Sequence, residues 1–204
     1  MKLLNNIIVI IPALEKNKYS LKGDLSNWGG TTLLEWKVSQ AKRIKFIKDI
    51  IVSSPSLKIK KKCKEIDVNF SLRKKNKGLI EFYLEVAKKY NKNYLMFLNP
   101  TSPFLSSNLI NKIVLYFEKN KNRYDSINST INLKEYLFMK KNSINFDANK
   151  PLKSRLKINH VNQLTNGISI IKCASCREKK SIIGFKPIFY NIDWLSSLEI
   201  KTIE

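Results

Sequence analysis

Histidine, arginine and acidic residues are all scarce in this 204-residue chain. There is one histidine, His160, and 16 Asp and Glu stand against 38 Lys and Arg. The cysteines, Cys63, Cys173 and Cys176, are too few for a disulfide framework. Cys173 and Cys176 have C-x-x-C spacing, but a zinc site needs two further ligands and the lone histidine lies well upstream. They read as free thiols near a strand end. No apolar run is long enough to span a bilayer. The run Ile7 to Ile11 is too short for a signal peptide, and no small-residue cleavage site follows it. A cytoplasmic chain without membrane insertion is the expectation.

What is abundant is lysine. The formal net charge is +22, which invites a nucleic-acid reading. Yet arginine, whose planar fork reads bases and phosphates best, occurs only at positions 43, 73, 123, 155 and 177. The lysines are scattered along the chain, and no aromatic residues interleave with them as stacking platforms. Nucleic acid is therefore not the expected partner, and a lysine-rich polyanion-binding domain remains the lesser alternative. With 43% hydrophobic and 26% charged residues, the composition suits one globular domain over 1–204.

Apolar runs of strand length alternate with helical periods. Ile7 to Ile11 is a β-branched run of the kind found in strands buried on both faces. Leu34, Val38 and Ala41 recur at helical spacing after a Gly29-Gly30 turn. Asp49 to Ser53 predicts a second buried strand, followed by a lysine-rich helix, and Val68 to Phe70 a short third. Leu79 to Ala87 has the pattern of an amphipathic helix, and Tyr94 to Leu98 of another buried strand. A further helix, capped by Ser106 or Ser107, carries the stripe Leu109, Ile110, Ile113, Val114 and Phe117. Short strands are expected near Ser126 to Thr130, Gly167 to Lys172 and Pro187 to Tyr190. This order predicts an α/β fold: a mostly parallel, doubly wound sheet with helices on both faces. Ligands of such sheets bind beyond the carboxyl ends of the strands, here at Pro12 to Asn27 and Asn99 to Leu105.

Several of these segments look like pieces of one family. Ile11-Pro12-Ala13, Gly29-Gly30 before Leu33-Leu34, and Ile51-Val52-Ser53 resemble the opening of the acylneuraminate cytidylyltransferases, the CMP-sugar-acid synthetases. Asn99-Pro100-Thr101-Ser102-Pro103 is similar to that family's Gln-Pro-Thr-Ser-Pro segment. Asn166-Gly167-Ile168 resembles its Asn-Gly-Ala turn, and Ser197 to Thr202 its C-terminal Asp-Ile-Asp segment. The resemblance implies a Rossmann-like nucleotidyltransferase that joins an acidic sugar to the α-phosphate of CTP. It implies nucleotide binding by Pro12, Ala13, Lys18, Asn99, Pro100, Thr101 and Ser102, with Lys18 as the catalytic cation; Lys22, which no family motif supplies, is expected to add a compensating charge. Asn166 and Gly167 would meet the sugar, and Glu199 would hold a magnesium ion if the chain is active. The region 131–165 would serve sugar recognition and a homodimer contact.

The chain also departs from that pattern. The phosphate loop, Ala-Arg then two small residues then Ser-Lys-Gly in the family, reads Ala13-Leu14-Glu15-Lys16-Asn17-Lys18-Tyr19 here, so Leu14 replaces the arginine and only Lys18 matches. Glu15 would set a like charge beside phosphates. Leu105 stands where an arginine is usual. An acidic Ser-Asp-Thr stretch is replaced by Arg73-Lys74-Lys75-Asn76-Lys77. The metal pair becomes Glu199 and Lys201, and a lysine repels magnesium. The leading expectation is a degenerate relative, catalytically impaired or non-catalytic, acting in surface-sugar activation. It would bind CTP or another nucleotide and an acidic sugar, or partner an active enzyme. The alternative is an active CTP-dependent transferase with an altered site.

Overall fold

Five β-branched residues in succession, Ile7 to Ile11, have no polar face to turn to water, and all five are buried at 0–1% exposure. They form most of β1 (Ile7–Pro12), an interior strand of a seven-stranded sheet. The computed structural model describes residues 4–17, 20–45, 47–74 and 78–200. The other strands are β2 (Ile50–Ser54), β3 (Asn69–Leu72), β4 (Tyr94–Leu98), β5 (Ser126–Leu133), β6 (Val161–Lys172) and β7 (Pro187–Asn191). In space they run β3-β2-β1-β4-β6-β5-β7, and only β6 lies antiparallel to its neighbours. The fold is thus the mostly parallel α/β sheet that the sequence predicts.

Helices cover both faces. On one side α1 (Leu33–Lys42), α2 (Leu57–Glu65) and α4 (Ser107–Asn120) bury Leu34, Val38, Ile59, Ile110, Ile113 and Phe117 against Val9, Ile11 and Met96. On the other, α3 (Leu79–Lys89) and α5 (Cys173–Lys179) bury Phe82, Tyr83, Val86 and Cys176 against Ile8, Ile10 and Leu95. A short α6 (Trp194–Ser197) follows β7. Ser106 caps α4 by accepting from Leu109 N at 3.2 Å. Thr32 and Glu35 close a capping box on α1, worth about 1 kcal/mol. Among the described residues no helix is long and apolar enough to cross a membrane.

Three strands differ in extent from their sequence patterns. Val68 is not in β3, because its N–H closes the end of α2 on the Cys63 carbonyl at 3.0 Å. With Asp67 at φ 49° this is a Schellman ending. The strands β5 and β6 are longer than expected, eight and twelve residues. The outer half of β6 carries exposed Asn162 and Gln163, which give no apolar signature. Gly167 lies inside β6, at a register shift between Leu164 and Ser169, rather than in a turn ahead of it. It has no positive φ. A Cβ there would sit 3.3 Å from Leu105 Cδ2 and 3.4 Å from Ser129 Oγ, so close packing explains the glycine.

Between β5 and β6 the chain makes an excursion over residues 134–160. Tyr136 and Phe138 pack edge-to-face with Phe146, ring centroids 5.0 and 5.1 Å apart. Asn145, 5% exposed, ties the excursion down. It donates to the carbonyls of Glu135 and Asn159 at 2.8 Å each and accepts from Leu137 N at 3.0 Å. Phe138 and Met139 remain exposed at its tip.

Candidate active site

The carboxyl ends of β1 and β4 gather most of the residues that the sequence singles out. Pro12 ends β1 beside Ser53, and the buried Ala13 donates its N–H to the Ser53 carbonyl at 2.9 Å. The loop that follows is closed at its neck by a reciprocal pair. Leu14 N donates to Asp24 Oδ2 at 2.7 Å, and Asp24 N donates to the Leu14 carbonyl at 2.8 Å. Asp24 is 4% exposed. Burial pushes its carboxyl up to about 6, the hydrogen bond from Leu14 N pulling the other way.

Gly23 is the residue that permits this neck. It has φ +48°, and a Cβ would fall 2.2 Å from the Leu14 carbonyl oxygen. Ser26 Oγ donates to the Gly23 carbonyl at 2.7 Å and lies 3.0 Å from Ser20 Oγ, bracing the far side of the loop. Lys22 is exposed on this loop. Lys18, the expected catalytic cation, lies outside the described residues, as does Tyr19. Glu15 accepts from Ser56 Oγ at 2.7 Å and sits 3.8 Å from Lys58 Nζ. Ser56 is the N-cap of α2, so the carboxylate faces the positive end of a helix. Leu14 is partly exposed, an apolar side chain at the mouth of the loop.

The turn after β4 is held from behind by α1. Lys37 Nζ donates to the Ser102 carbonyl at 2.7 Å, while Trp36 Nε1 and Gln40 Nε2 donate to the Pro103 carbonyl at 2.9 and 2.8 Å. Lys37 is fully buried at 0% exposure, and burial pulls its ammonium down to about 7. Neither Lys37 nor Asp24 was singled out from the sequence. Lys37 does carry a signal, since it falls on the inner stripe three residues after Leu34 and four before Ala41. Leu105 is 0% exposed and packs on Gly167, so this position belongs to the core.

In front of the turn, four expected residues meet. Asn99 Nδ2 donates to the Asn166 carbonyl at 2.6 Å. Asn166 Nδ2 donates to both oxygens of Glu199, at 3.1 and 3.0 Å. Thr101 Oγ1 donates to Glu199 Oε1 at 3.2 Å, and Ile200 N donates to the Thr101 carbonyl at 2.7 Å. Sequence separations of up to 98 residues are thereby closed into one cluster. Lys22, Asn99, Thr101 and Asn166 keep polar groups at least partly accessible, whereas Ala13, Pro100 and Ser102 are buried. Those three would meet a ligand through backbone alone.

The donor set suits a magnesium ion poorly as a protein-held ion. Among the described residues no three His, Cys, Asp or Glu side chains group together. Glu199 already accepts from Asn166 and Thr101, and Lys201 lies outside the described residues. Magnesium can be held by one carboxylate when substrate phosphates complete its shell, and that is the only mode these residues fit.

Sequence comparison decides the kinship. The sequence model of the family described as Cytidylyltransferase matches residues 21–168. This chain belongs to the cytidylyltransferase family. No curated protein matches it in sequence. Solved cytidylyltransferases share its fold at low identity. A cytidylyltransferase from Leptospira borgpetersenii is similar with a TM-score of 0.68 and 20% identity, over 98% of this chain and 82% of that one. A CMP:2-keto-3-deoxy-manno-octonic acid synthetase complexed with CTP superposes with a TM-score of 0.71 at 8% identity, over 97% and 93% of the two chains. The 4-diphosphocytidyl-2C-methyl-D-erythritol synthase of Anaerococcus prevotii gives 0.64 at 14% identity, over 99% and 94%. At such identities the likeness establishes the fold, and the function must be argued from the site.

Proposed function

We propose that this cytidylyltransferase is an impaired relative of the CMP-sugar-acid synthetases. It binds CTP or a related nucleotide at the ends of β1 and β4, with transfer to an acidic sugar weak or lost. The observation that carries the reading is the cluster of Asn99, Thr101, Asn166 and Glu199. It keeps a polar frame at the expected ligand position, but its carboxylate is engaged by Asn166 and Thr101. The loop after β1 supports the same reading. Leu14 supplies no charge, and Glu15 turns to Ser56 and Lys58. That leaves Lys22, and Lys18 as the proposed catalytic cation, to offset a triphosphate whose transition-state charge normally needs several fixed cations.

In this proposal Glu199, engaged by Asn166 and Thr101, would add at most one oxygen to a magnesium ion held by the nucleotide's phosphates. The ion's charge would polarise the phosphates. The protein's own residues do the rest: the backbone of Pro12 and Ala13 orients the ligand, and Asn166 and Gly167 shape the sugar side. The exposed Phe138 and Met139 of the excursion form the proposed homodimer contact, and pairing with an active enzyme of surface-sugar activation is the corresponding role.

A pyrophosphate-release assay with CTP, magnesium and a panel of nine-carbon and eight-carbon sugar acids tests the proposal. The expected result is release at least about a thousandfold below 1 per second, the lower end of ordinary turnover. Turnover in the ordinary range would replace it with the active-enzyme reading.

A further inference from the structure

A cavity of about 580 Å³ opens at the other end of the sheet from the loops just described. It lies where the start of β4 (Tyr94) meets the end of β6 (Lys172) and the end of α3. Its position is set by local structure. Helix α3 ends in a Schellman motif, Lys92 N donating to the Ala87 carbonyl at 2.8 Å with Asn91 at φ 52°. Cys173 N then donates to the Asn93 carbonyl at 2.8 Å, joining α5 to that turn and forming one wall.

The cavity wall is cationic, and among the described residues no acid lines it. Two of its lysines are neutralised from outside: Lys92 by Asp49 at 2.6 Å and Lys121 by Glu118 at 2.8 Å. Lys88, Lys172 and Arg177 make no ion pair among the described residues. Three uncompensated positive charges facing one concavity repel one another and favour an anion there. An arginine fork beside two lysines matches a phosphate better than a single carboxylate. The volume exceeds what an inorganic anion needs and falls in the range of small-molecule sites. Leu84 and Ala87 supply an apolar wall, and Tyr94 an aromatic ring.

We infer that this cavity binds a small organic phosphate monoester, at a site separate from the nucleotide site of the family. The phosphate is held by Arg177, Lys172 and Lys88, and the organic part rests on Tyr94 and Leu84. This inference does not depend on whether the strand-end site is active.

The test is calorimetric titration of the full chain with ribose 5-phosphate, cytidine 5′-monophosphate, ribose and a short single-stranded RNA. Each titration is repeated on the Lys172→Ala/Arg177→Ala double variant and on Lys88→Ala, with thermal unfolding as a check on folding. The expected result is binding of at least one monoester, weakened about tenfold or more in the double variant, with none for ribose. Bound monoester should also slow modification of Cys173 by methyl methanethiosulfonate, since Cys173 lines the cavity and Cys63 and Cys176 are buried. Ribose 5-phosphate and the nucleotide distinguish a sugar phosphate from a nucleoside source. Absence of monoester binding would overturn the inference, and so would binding that both variants leave unchanged. RNA binding tighter than either monoester and lost in the double variant would also overturn it, assigning the cations to a nucleic-acid backbone.

Discussion

Asn166 and Glu199 stand 33 residues apart in sequence and face each other as donor and acceptor, the amide reaching both carboxylate oxygens at 3.1 and 3.0 Å. The pairing fastens the segment after α6 to β6 and to the turn after β4. It follows that stability at this end of the sheet, and ligand geometry in the proposed site, depend on the same two side chains.

Replacing the amide separates hydrogen bonding from charge. Asn166→Ala removes the donor, and Asn166→Asp adds a like charge beside Glu199. Thermal unfolding at pH 7 and low salt should rank wild type above N166A and N166A above N166D, with each step roughly 0.5–1 kcal/mol at this exposed position. In 1 M NaCl the gap between the two variants should close, because screening shortens the reach of the repulsion. A gap that persists in salt would contradict the pairing.

Gly23 is predicted to tolerate no side chain. Gly23→Ala would set a methyl group against the Leu14 carbonyl at a positive φ. Urea unfolding should show a loss of roughly 2–3 kcal/mol. An unchanged midpoint would mean that the loop neck can rearrange, and the Leu14–Asp24 pairing would then not define it.

Asp24 makes stability depend on pH in an unusual direction for an acid. Its folded pKa, about 6, lies above its unfolded value of 3.8. Below pH 3.8 both states are protonated and the group costs nothing. As pH rises to about 6 the unfolded state alone releases its proton, so stability falls and then levels off. Asp24→Asn keeps an oxygen for Leu14 N and removes the titration. The variant should match wild type near pH 4 and exceed it by roughly 2–3 kcal/mol at pH 7. Equal stability of the two at both pH values would contradict the buried state of this carboxyl.

Lys37 acts in a different window. Its folded pKa is about 7 against 10.5 when unfolded. Between these values the unfolded state binds the extra proton, so wild-type stability should rise with pH from about 7 to 10. Lys37→Met should abolish that slope in urea unfolding at pH 7, 8 and 9. A slope of equal size in the variant would assign it to other groups.

The fold was legible because its core strands announce themselves. Ile7 to Ile11 and Tyr94 to Leu98 are buried on both faces and read as unbroken apolar runs. The outer strands were harder. Ser126, Asn128 and Thr130 are buried polar residues of β5, and periodicity has little to say of strands made from Asn, Ser and Thr. At the site, Asn99, Thr101, Asn166 and Glu199 were visible through resemblance, and the structure brings them together. Asp24 was not visible, because its role rests on burial and on a backbone partner ten residues away. The cationic cavity was hidden for a related reason. Lys88, Lys172 and Arg177 come from three separate elements, and scattered lysines in a sequence do not reveal which of them share a concavity.

The proposed impairment leaves a nucleotide site whose metal-dependent half is degraded. Calorimetric titration with CTP, with and without magnesium, addresses it most directly. CTP should bind with an affinity that changes less than about threefold on adding magnesium, because Glu199 is engaged by Asn166 and Thr101. Binding that strengthens tenfold or more with magnesium would contradict it and restore an intact metal-assisted transferase. No detectable CTP binding under either condition would contradict it from the other side, leaving a fold without its nucleotide.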